Sequence, residues 1–218
     1  MSKILFLIYF FSTYCIYAQN EVSSFYFKSP QPVNTDTSFE FHKEHWGAYY
    51  KSDDSLVRLI VEKDSIFTEF VIMLSLSKQE LRKDKKLSID DSLLFGVKAN
   101  YGIPYMIFDD TLYAVILQND LFFKIDENNP LKYHDQKYFL NYKNKNGFFS
   151  TTLLSFEKES LLLSEIDHYE SMNLIRNFNE LNETEVYKIK TYIATPSEEE
   201  FFNFIKNNGF STNIKYHK

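Results

Sequence analysis

The stretch Leu56–Met73, which reads LVRLIVEKDSIFTEFVIM, predicts the fold of the chain. It contains two runs of strand length that are rich in β-branched and aromatic residues, and Glu62-Lys63-Asp64-Ser65 separates them. Asp and Ser side chains hydrogen-bond to their own backbone in turns, so this arrangement is typical of a β-hairpin. The stretch therefore predicts two neighbouring antiparallel strands.

The same pattern of apolar runs and polar turns recurs along the chain. It is repeated in Tyr105–Phe108 and Leu112–Leu117 around Asp109-Asp110-Thr111, in Gln118-Asn119-Asp120 leading into Leu121–Ile125, and in Phe148–Phe156 and Leu161–Ile166 around Glu157-Lys158-Glu159-Ser160. Successive hairpins form an antiparallel meander. We therefore expect an α+β fold, mostly β, in which the meander forms a curved sandwich or a partly closed barrel.

Two helices are predicted to interrupt the strands. Ser77-Lys78-Gln79-Glu80 has the residues of a capping box and predicts a short mid-chain helix that ends near Lys85. Thr195-Pro196-Ser197-Glu198 predicts a C-terminal helix with Thr195 as its N-cap, and Asn208-Gly209 predicts its end. The apolar spacing in His168–Leu181 indicates a third helix only weakly.

The C-terminal helix is expected to lie between two strands. The alternation of Tyr187, Ile189 and Ile193 predicts the strand before it, and Thr212–Tyr216 predicts the strand after it. The chain is thus expected to finish with a strand, a helix and a strand.

The first residues have the pattern of a secretory signal peptide. Lys3 is followed by an apolar run from Ile4 to Phe11 and by small and polar residues up to Ala18. This run is too short to cross a bilayer, so we expect residues 1–18 to be a signal peptide and the mature chain to have no transmembrane span. Residues 19–40 are expected to form an extended leader, and residues 41–218 a single β-rich domain.

Cys15 is the one cysteine of the chain and has two interpretations. Cleavage after Ala18 removes it with the signal peptide. Lipidation would keep it as an anchor, but Tyr14 stands where a lipoprotein signal has a small residue. We therefore expect a periplasmic or extracellular protein without disulfides, and lipid anchoring through Cys15 is the less favoured alternative.

Composition argues against several classes of function. The chain has 218 residues and a net charge of −6, which does not favour nucleic-acid binding. Its 5 glycines are isolated, so they form neither a P-loop nor a dinucleotide-binding motif, and G-x-S-x-G is also absent from the sequence. The sequence therefore predicts no cofactor.

The segment His42–Tyr50 contains the densest group of candidate site residues. His42 and His45 are three residues apart in a segment that looks extended, where side chains at an odd separation point to opposite faces. This spacing argues against a metal site. His45, Trp46 and Tyr49 are instead candidates for a ligand-contacting edge, and Tyr101 and Tyr105 from the aromatic-rich centre are added to them.

Taken together, these patterns predict an exported, non-catalytic binding or interaction protein of the bacterial cell envelope. The partner is expected to be an apolar small molecule, a glycan or another envelope protein. The alternative is a secreted hydrolase that uses scattered carboxylates and a histidine, either His134 or His168. No motif supports either histidine, so an enzyme is the less favoured interpretation.

Overall fold

The computed structural model describes residues 23–97, 101–186 and 189–218. These residues fall into two compact units. The first unit contains the described residues up to Thr35 together with Asn141–Thr152 and Glu165–Thr212. The second contains Asp36–Leu140, Leu153–Ser164 and Asn213–Lys218. Each unit is therefore built from segments that are far apart in the sequence.

The first unit has a small sheet with a helical layer. Its strands are β1 (Ser23–Phe27), the first residues of β12 (Phe149–Glu157), β14 (Leu181–Val186) and β15 (Ile189–Ala194), in the order β14-β15-β1-β12. The pair of β1 with β15 is parallel, from Ser23 opposite Lys190 to Phe27 opposite Ala194. Completely buried Phe27 packs edge-to-face on Phe201, with ring centroids 5.6 Å apart. Aromatic packing therefore joins the sheet to the helical layer of this unit.

The second unit contains most of the strands. They are β2 (Thr37–Ser38), β3 (Gly47–Lys51), β4 (Val57–Val61), β5 (Ser65–Ser77), β6 (Ser88–Asp90), β7 (Leu93–Phe95), β8 (Ile103–Phe108), β9 (Thr111–Lys124), β10 (Leu131–His134), the first residues of β11 (Lys137–Lys143), the last residues of β12, β13 (Ser160–Glu165) and β16 (Thr212–His217). The residues of β11 from Asn141 onward belong to the first unit. The path runs β12-β13-β16-β3-β4-β5-β9-β8-β7-β6, and β2 and β11 pair with β10 beside it. The expected α+β fold with a mostly β, antiparallel sheet is confirmed.

Acidic turn residues form several of the hairpins. Asp109 and Asp110 both have positive φ angles between β8 and β9, and Asp135 and Gln136 do the same between β10 and β11. Two successive positive φ angles are those of a type I′ turn, which matches the twist of the flanking strands. Asp tolerates this backbone region better than most side chains. The aspartates at these turns therefore have a structural role, because they accept the backbone conformation of the turn.

The predicted turn at Gln118-Asn119-Asp120 is wrong. These residues lie inside β9, a continuous strand of 14 residues that pairs with the 13 residues of β5. Asn119 lies opposite Glu69, and Asp120 lies opposite Thr68. The polar residues are thus cross-strand partners of other polar residues. The irregularity of the β5–β9 pair is a register shift, which occurs between Ile66 and Phe67 of β5.

The described helices lie in the segments where the sequence predicts helices. The mid-chain helix α1 (Lys78–Lys83) has the expected capping box, and α2 is a single turn (Met172–Ile175) inside the weakly indicated segment. The C-terminal helix is α3 (Glu198–Lys206), but its N-cap is Ser197, which forms a capping box with Glu200. The choice of Thr195 as N-cap is therefore wrong, because the reciprocal pair of hydrogen bonds forms two residues later.

The end of α3 also differs in detail from the expectation. Asn208, rather than Gly209, takes the left-handed conformation, with φ 62°. Gly209 is required for a different reason: a Cβ atom there would overlap the ring of Phe204. The close approach of this ring, rather than a positive φ, therefore accounts for the glycine.

Residues 23–27 lie in the segment predicted as an extended leader. They are extended, but they form the paired strand β1, whose Phe27 is buried. The predicted signal peptide, Cys15 and Tyr187 lie outside the described residues. No helix within the described ranges is both long and apolar enough to cross a membrane. The predicted domain boundaries stay a prediction.

Candidate functional site

The expected extended conformation around His42–His45 is wrong, and this changes the position of both histidines. Lys43–His45 form a 3₁₀ turn that His42 precedes in an extended conformation. Because a 3₁₀ helix has three residues per turn, side chains three positions apart lie on the same side. The two imidazole rings are accordingly nearly parallel, with centroids 5.9 Å apart. The premise that they point to opposite faces no longer applies.

Tyr138 on β11 holds this turn through hydrogen bonds to His42 and His45. Its side chain is completely buried, and its hydroxyl oxygen accepts a hydrogen bond from the His42 backbone N–H at 2.9 Å. The same hydroxyl is hydrogen-bonded to His45 Nδ1 at 3.0 Å. Burial raises the pKa of Tyr138 to about 12, so the phenol keeps its proton at neutral pH. One buried hydroxyl thus fixes both ends of the turn.

The His45 ring is held in one orientation. It stacks on Phe156 of β12 at a centroid distance of 4.1 Å and an angle of 10°. Its Nε2 atom lies 3.8 Å from the Glu44 Oε1 atom. Burial lowers the pKa of His45, and Glu44 opposes this effect in part. The imidazole is therefore neutral at pH 7, with Nδ1 engaged and Nε2 directed toward a carboxylate.

Trp46 and Tyr49 support the turn through hydrogen bonds to its backbone and to the residue before it. The Trp46 indole N–H donates to the Phe41 carbonyl at 2.9 Å, and the Tyr49 hydroxyl donates to the His45 carbonyl at 3.0 Å. Tyr49 is only 1% exposed. The structure thus brings three predicted residues together, but it gives Trp46 and Tyr49 a positioning role beside His45.

Tyr101 and Tyr105 lie elsewhere in the second unit. Tyr105 is on β8 and packs against the apolar cluster that includes Leu112, and the exposed Tyr101 precedes this strand. Four strand spacings separate β3 from β8 along the path, which corresponds to about 19 Å at ~4.8 Å per spacing. The five predicted residues therefore do not form one site.

A second candidate site is an exposed apolar surface on three strands of the second unit, which we call the outer face. It consists of Met73 on β5, Met106 and Phe108 on β8, and Val115, Leu117 and Leu121 on β9. Met73 lies opposite Val115, and alternate residues of a strand share a face, so these side chains point the same way. Their exposed fractions run from 46% to 70%.

The opposite face of these strands already has its own apolar core. Leu112 and Ala114 on β9 are buried there together with Leu94 and Ile103. A sheet with one side in water normally alternates apolar and polar residues. Here apolar side chains lie on both sides of the strands, so the outer face is not explained by the packing of the core.

An ion pair borders the outer face. Arg58 on β4 pairs with Glu69 on β5, whose side chain is only 5% exposed, and Arg58 also donates to the Tyr50 hydroxyl at 3.0 Å. Glu69 precedes Val71 by two residues on β5, and both side chains lie on the same side of the strand as Met73. The outer face thus has an apolar area with a fixed charged edge.

The histidines of the hydrolase alternative lie on different elements. His134 ends β10 beside the turn at Asp135, and His168 precedes α2. In the described part of the chain, His168 Nε2 is buried and has no hydrogen-bond partner. The hydrolase interpretation stays a prediction.

Sequence reasoning singled out the His42–Tyr50 segment but missed the residues that organise it. Tyr138 and Phe156 come from β11 and β12, far along the chain, and no local pattern connects them with His45. The outer face had a readable signal, because the runs Ile66–Met73 and Leu112–Leu117 are apolar at nearly every position. Comparison with protein families, curated proteins and solved structures found nothing that matches this chain.

Proposed function

We propose that this chain is an exported, non-catalytic interaction protein of the bacterial cell envelope that binds another envelope protein through its outer face. The observation that carries the proposal is the set of six exposed apolar side chains on one side of β5, β8 and β9. Large contiguous apolar surfaces are uncommon on soluble monomers and mark interaction sites.

The composition of the outer face favours a protein over a small molecule or a glycan. Met73 and Met106 have flexible, polarizable side chains that adapt to an irregular partner surface, and Phe108 adds a large apolar contact. Met and aromatic residues are enriched at protein interfaces. A row of side chains along three strands presents a broad surface, whereas small ligands bind in concave sites.

Export is supported by the sequence of the first 18 residues. The cation Lys3, the apolar run Ile4–Phe11 and the small residue Ala18 follow the order of a signal peptide. A mature chain that starts at Gln19, measured as an intact mass on the exported protein, would support this part of the proposal. A lipid-modified chain that starts at Cys15 would replace it with an anchored form.

Site-specific photo-crosslinking tests the interaction. A photoreactive amino acid at Val115 should give a discrete crosslink to another envelope protein in the native host, because this position lies in the middle of the outer face. The substitution Met106→Asp should abolish the crosslink without changing the thermal unfolding midpoint, since Met106 is 67% exposed and leaves no cavity.

The matched control is the same photoreactive residue at Phe39. Among the described residues, Phe39 is the most exposed large apolar residue, at 82%, but it follows β2 and does not belong to the outer face. The proposal fails if positions 39 and 115 give the same products, or if Met106→Asp leaves the crosslink unchanged. A product that joins two copies of this chain would show self-association and would also reject the proposed partner.

A further inference from the structure

The 3₁₀ turn brings three metal-ligating side chains to one point of the second unit. One ligand atom from each of His42, Glu44 and His45 lies within 4.8 Å of the other two. The His45 Nε2 atom and the Glu44 Oε1 atom are 3.8 Å apart. Two ligands of a tetrahedral zinc ion are about 3.4 Å apart when each is about 2.1 Å from the metal. Small side-chain rotations would therefore close the set around one ion.

The ligand atoms are of the type that a borderline metal requires. Two imidazoles and one carboxylate form a common three-residue donor set for zinc. The Glu44 side chain is 74% exposed and free to rotate, whereas His45 is fixed by stacking on Phe156. A rigid ligand and a mobile ligand together allow the set to contract without moving the backbone.

Tyr138 supplies the outer contact that a metal-binding histidine normally has. Such a histidine uses one ring nitrogen for the metal, and its other nitrogen is hydrogen-bonded to a neighbouring group that sets the tautomer and orientation. His45 Nδ1 is bound to the buried Tyr138 hydroxyl at 3.0 Å, which leaves Nε2 for the ion. The same hydroxyl fixes the backbone at His42.

The charges near the turn act in both directions. Lys218 lies with its Nζ 5.6 Å from the centre of the Tyr49 ring and disfavours positive charge at His45, while Glu44 favours it. The Glu44 carboxylate therefore offsets part of the repulsion between Lys218 and a cation bound at the turn.

We propose that His42, Glu44 and His45 form a binding site for a divalent transition-metal ion of the zinc class. Three protein ligands leave a fourth position open for water or for a group of a bound partner. This site uses none of the residues of the outer face, so the inference is independent of the proposed function.

Cobalt(II) spectroscopy on the full mature chain tests the site directly. Titration with Co²⁺ should give visible absorption bands that saturate at one equivalent and disappear when Zn²⁺ is added. Glu44→Gln should weaken binding at least about tenfold, and His42→Gln should do the same, because each removes one ligand of the first coordination shell. Tyr138→Phe should weaken binding by about 10- to 100-fold through the lost orientation of His45.

His217→Gln is the matched control. His217 is an exposed histidine at the end of β16, opposite Tyr50. The His217→Gln variant should therefore bind the metal as tightly as the unmodified chain. The far-UV circular dichroism of each variant establishes that it is folded. Glu44→Gln tests metal binding without disturbing the fold, because the Glu44 side chain is exposed. The inference is overturned if no saturable binding occurs, or if His42→Gln and Glu44→Gln bind Co²⁺ as the control does.

Discussion

The buried side chain of Asn141 provides a quantitative test of how the segment around Gln31 is held. Asn141 is completely buried, and its Oδ1 accepts hydrogen bonds from the Gln31 N–H and from the Thr151 hydroxyl, both at 2.8 Å. Its Nδ2 donates to the Gln31 carbonyl at 2.9 Å. One amide thus satisfies both backbone groups of Gln31 within the first unit.

Asn141→Ala should lower the free energy of unfolding by about 2–6 kcal/mol. The substitution strands two buried backbone groups of Gln31, and each unsatisfied buried group costs about 1–3 kcal/mol. Thr151→Val, which has nearly the same shape, removes one hydrogen bond and leaves the contacts between Asn141 and Gln31 in place. It should therefore cost only about 1 kcal/mol.

Urea unfolding followed by far-UV circular dichroism measures both losses, and limited proteolysis reports where the chain opens. Asn141→Ala should be cleaved faster than Thr151→Val within residues 23–35, because those residues lose their anchor. Equal losses for the two variants, or a loss below about 1 kcal/mol for Asn141→Ala, would refute this reasoning.

Two further predictions concern the C-terminal helix. Gly209→Ala should destabilise the chain by about 1–3 kcal/mol, since its Cβ atom would overlap the Phe204 ring; an unchanged urea midpoint would contradict this. Hydrogen bonds from the Asn179 N–H and from Ser197 hold the pKa of Glu200 below its ordinary value of 4.5. The stability this carboxylate provides is therefore complete above pH 4.5 and is lost as the pH falls through the lower folded-state pKa. The thermal midpoints of Glu200→Gln and the unmodified chain should differ by a constant amount from pH 7 to about pH 4.5 and by less and less from there to pH 3. A difference that stays constant down to pH 3 would contradict the assignment.

Local chemistry made part of the fold predictable. The Asp109-Asp110 turn was predictable because few other side chains accept two successive left-handed residues, and Ser77 marks the start of α1 through a local pair of hydrogen bonds. Asn119 and Asp120 misled the prediction, because a polar residue in a strand resembles one in a turn until its cross-strand partner is known. Such partners come from distant parts of the sequence.

The candidate sites differ in the same way. The apolar runs of the outer face can be read in the sequence, although their exposure cannot. The conformation of His42–His45 depends on the hydroxyl of Tyr138, which belongs to another strand. The sequence pattern indicated an extended segment, whereas the 3₁₀ turn that Tyr138 holds brings the two imidazoles together.

The parallel pairing of β1 with β15 has a consequence for the order in which the chain matures. Strand β1 lies near the start of the described chain and β15 lies near its end. All of β1, from Ser23 to Phe27, pairs with β15. During synthesis, β1 therefore has no such partner until the ribosome has added residues 189–194. Pairs so distant in sequence also form slowly, because a long loop has to close first. The sheet of the first unit can therefore be completed only at a late stage of synthesis, after Ile189–Ala194 has left the ribosome.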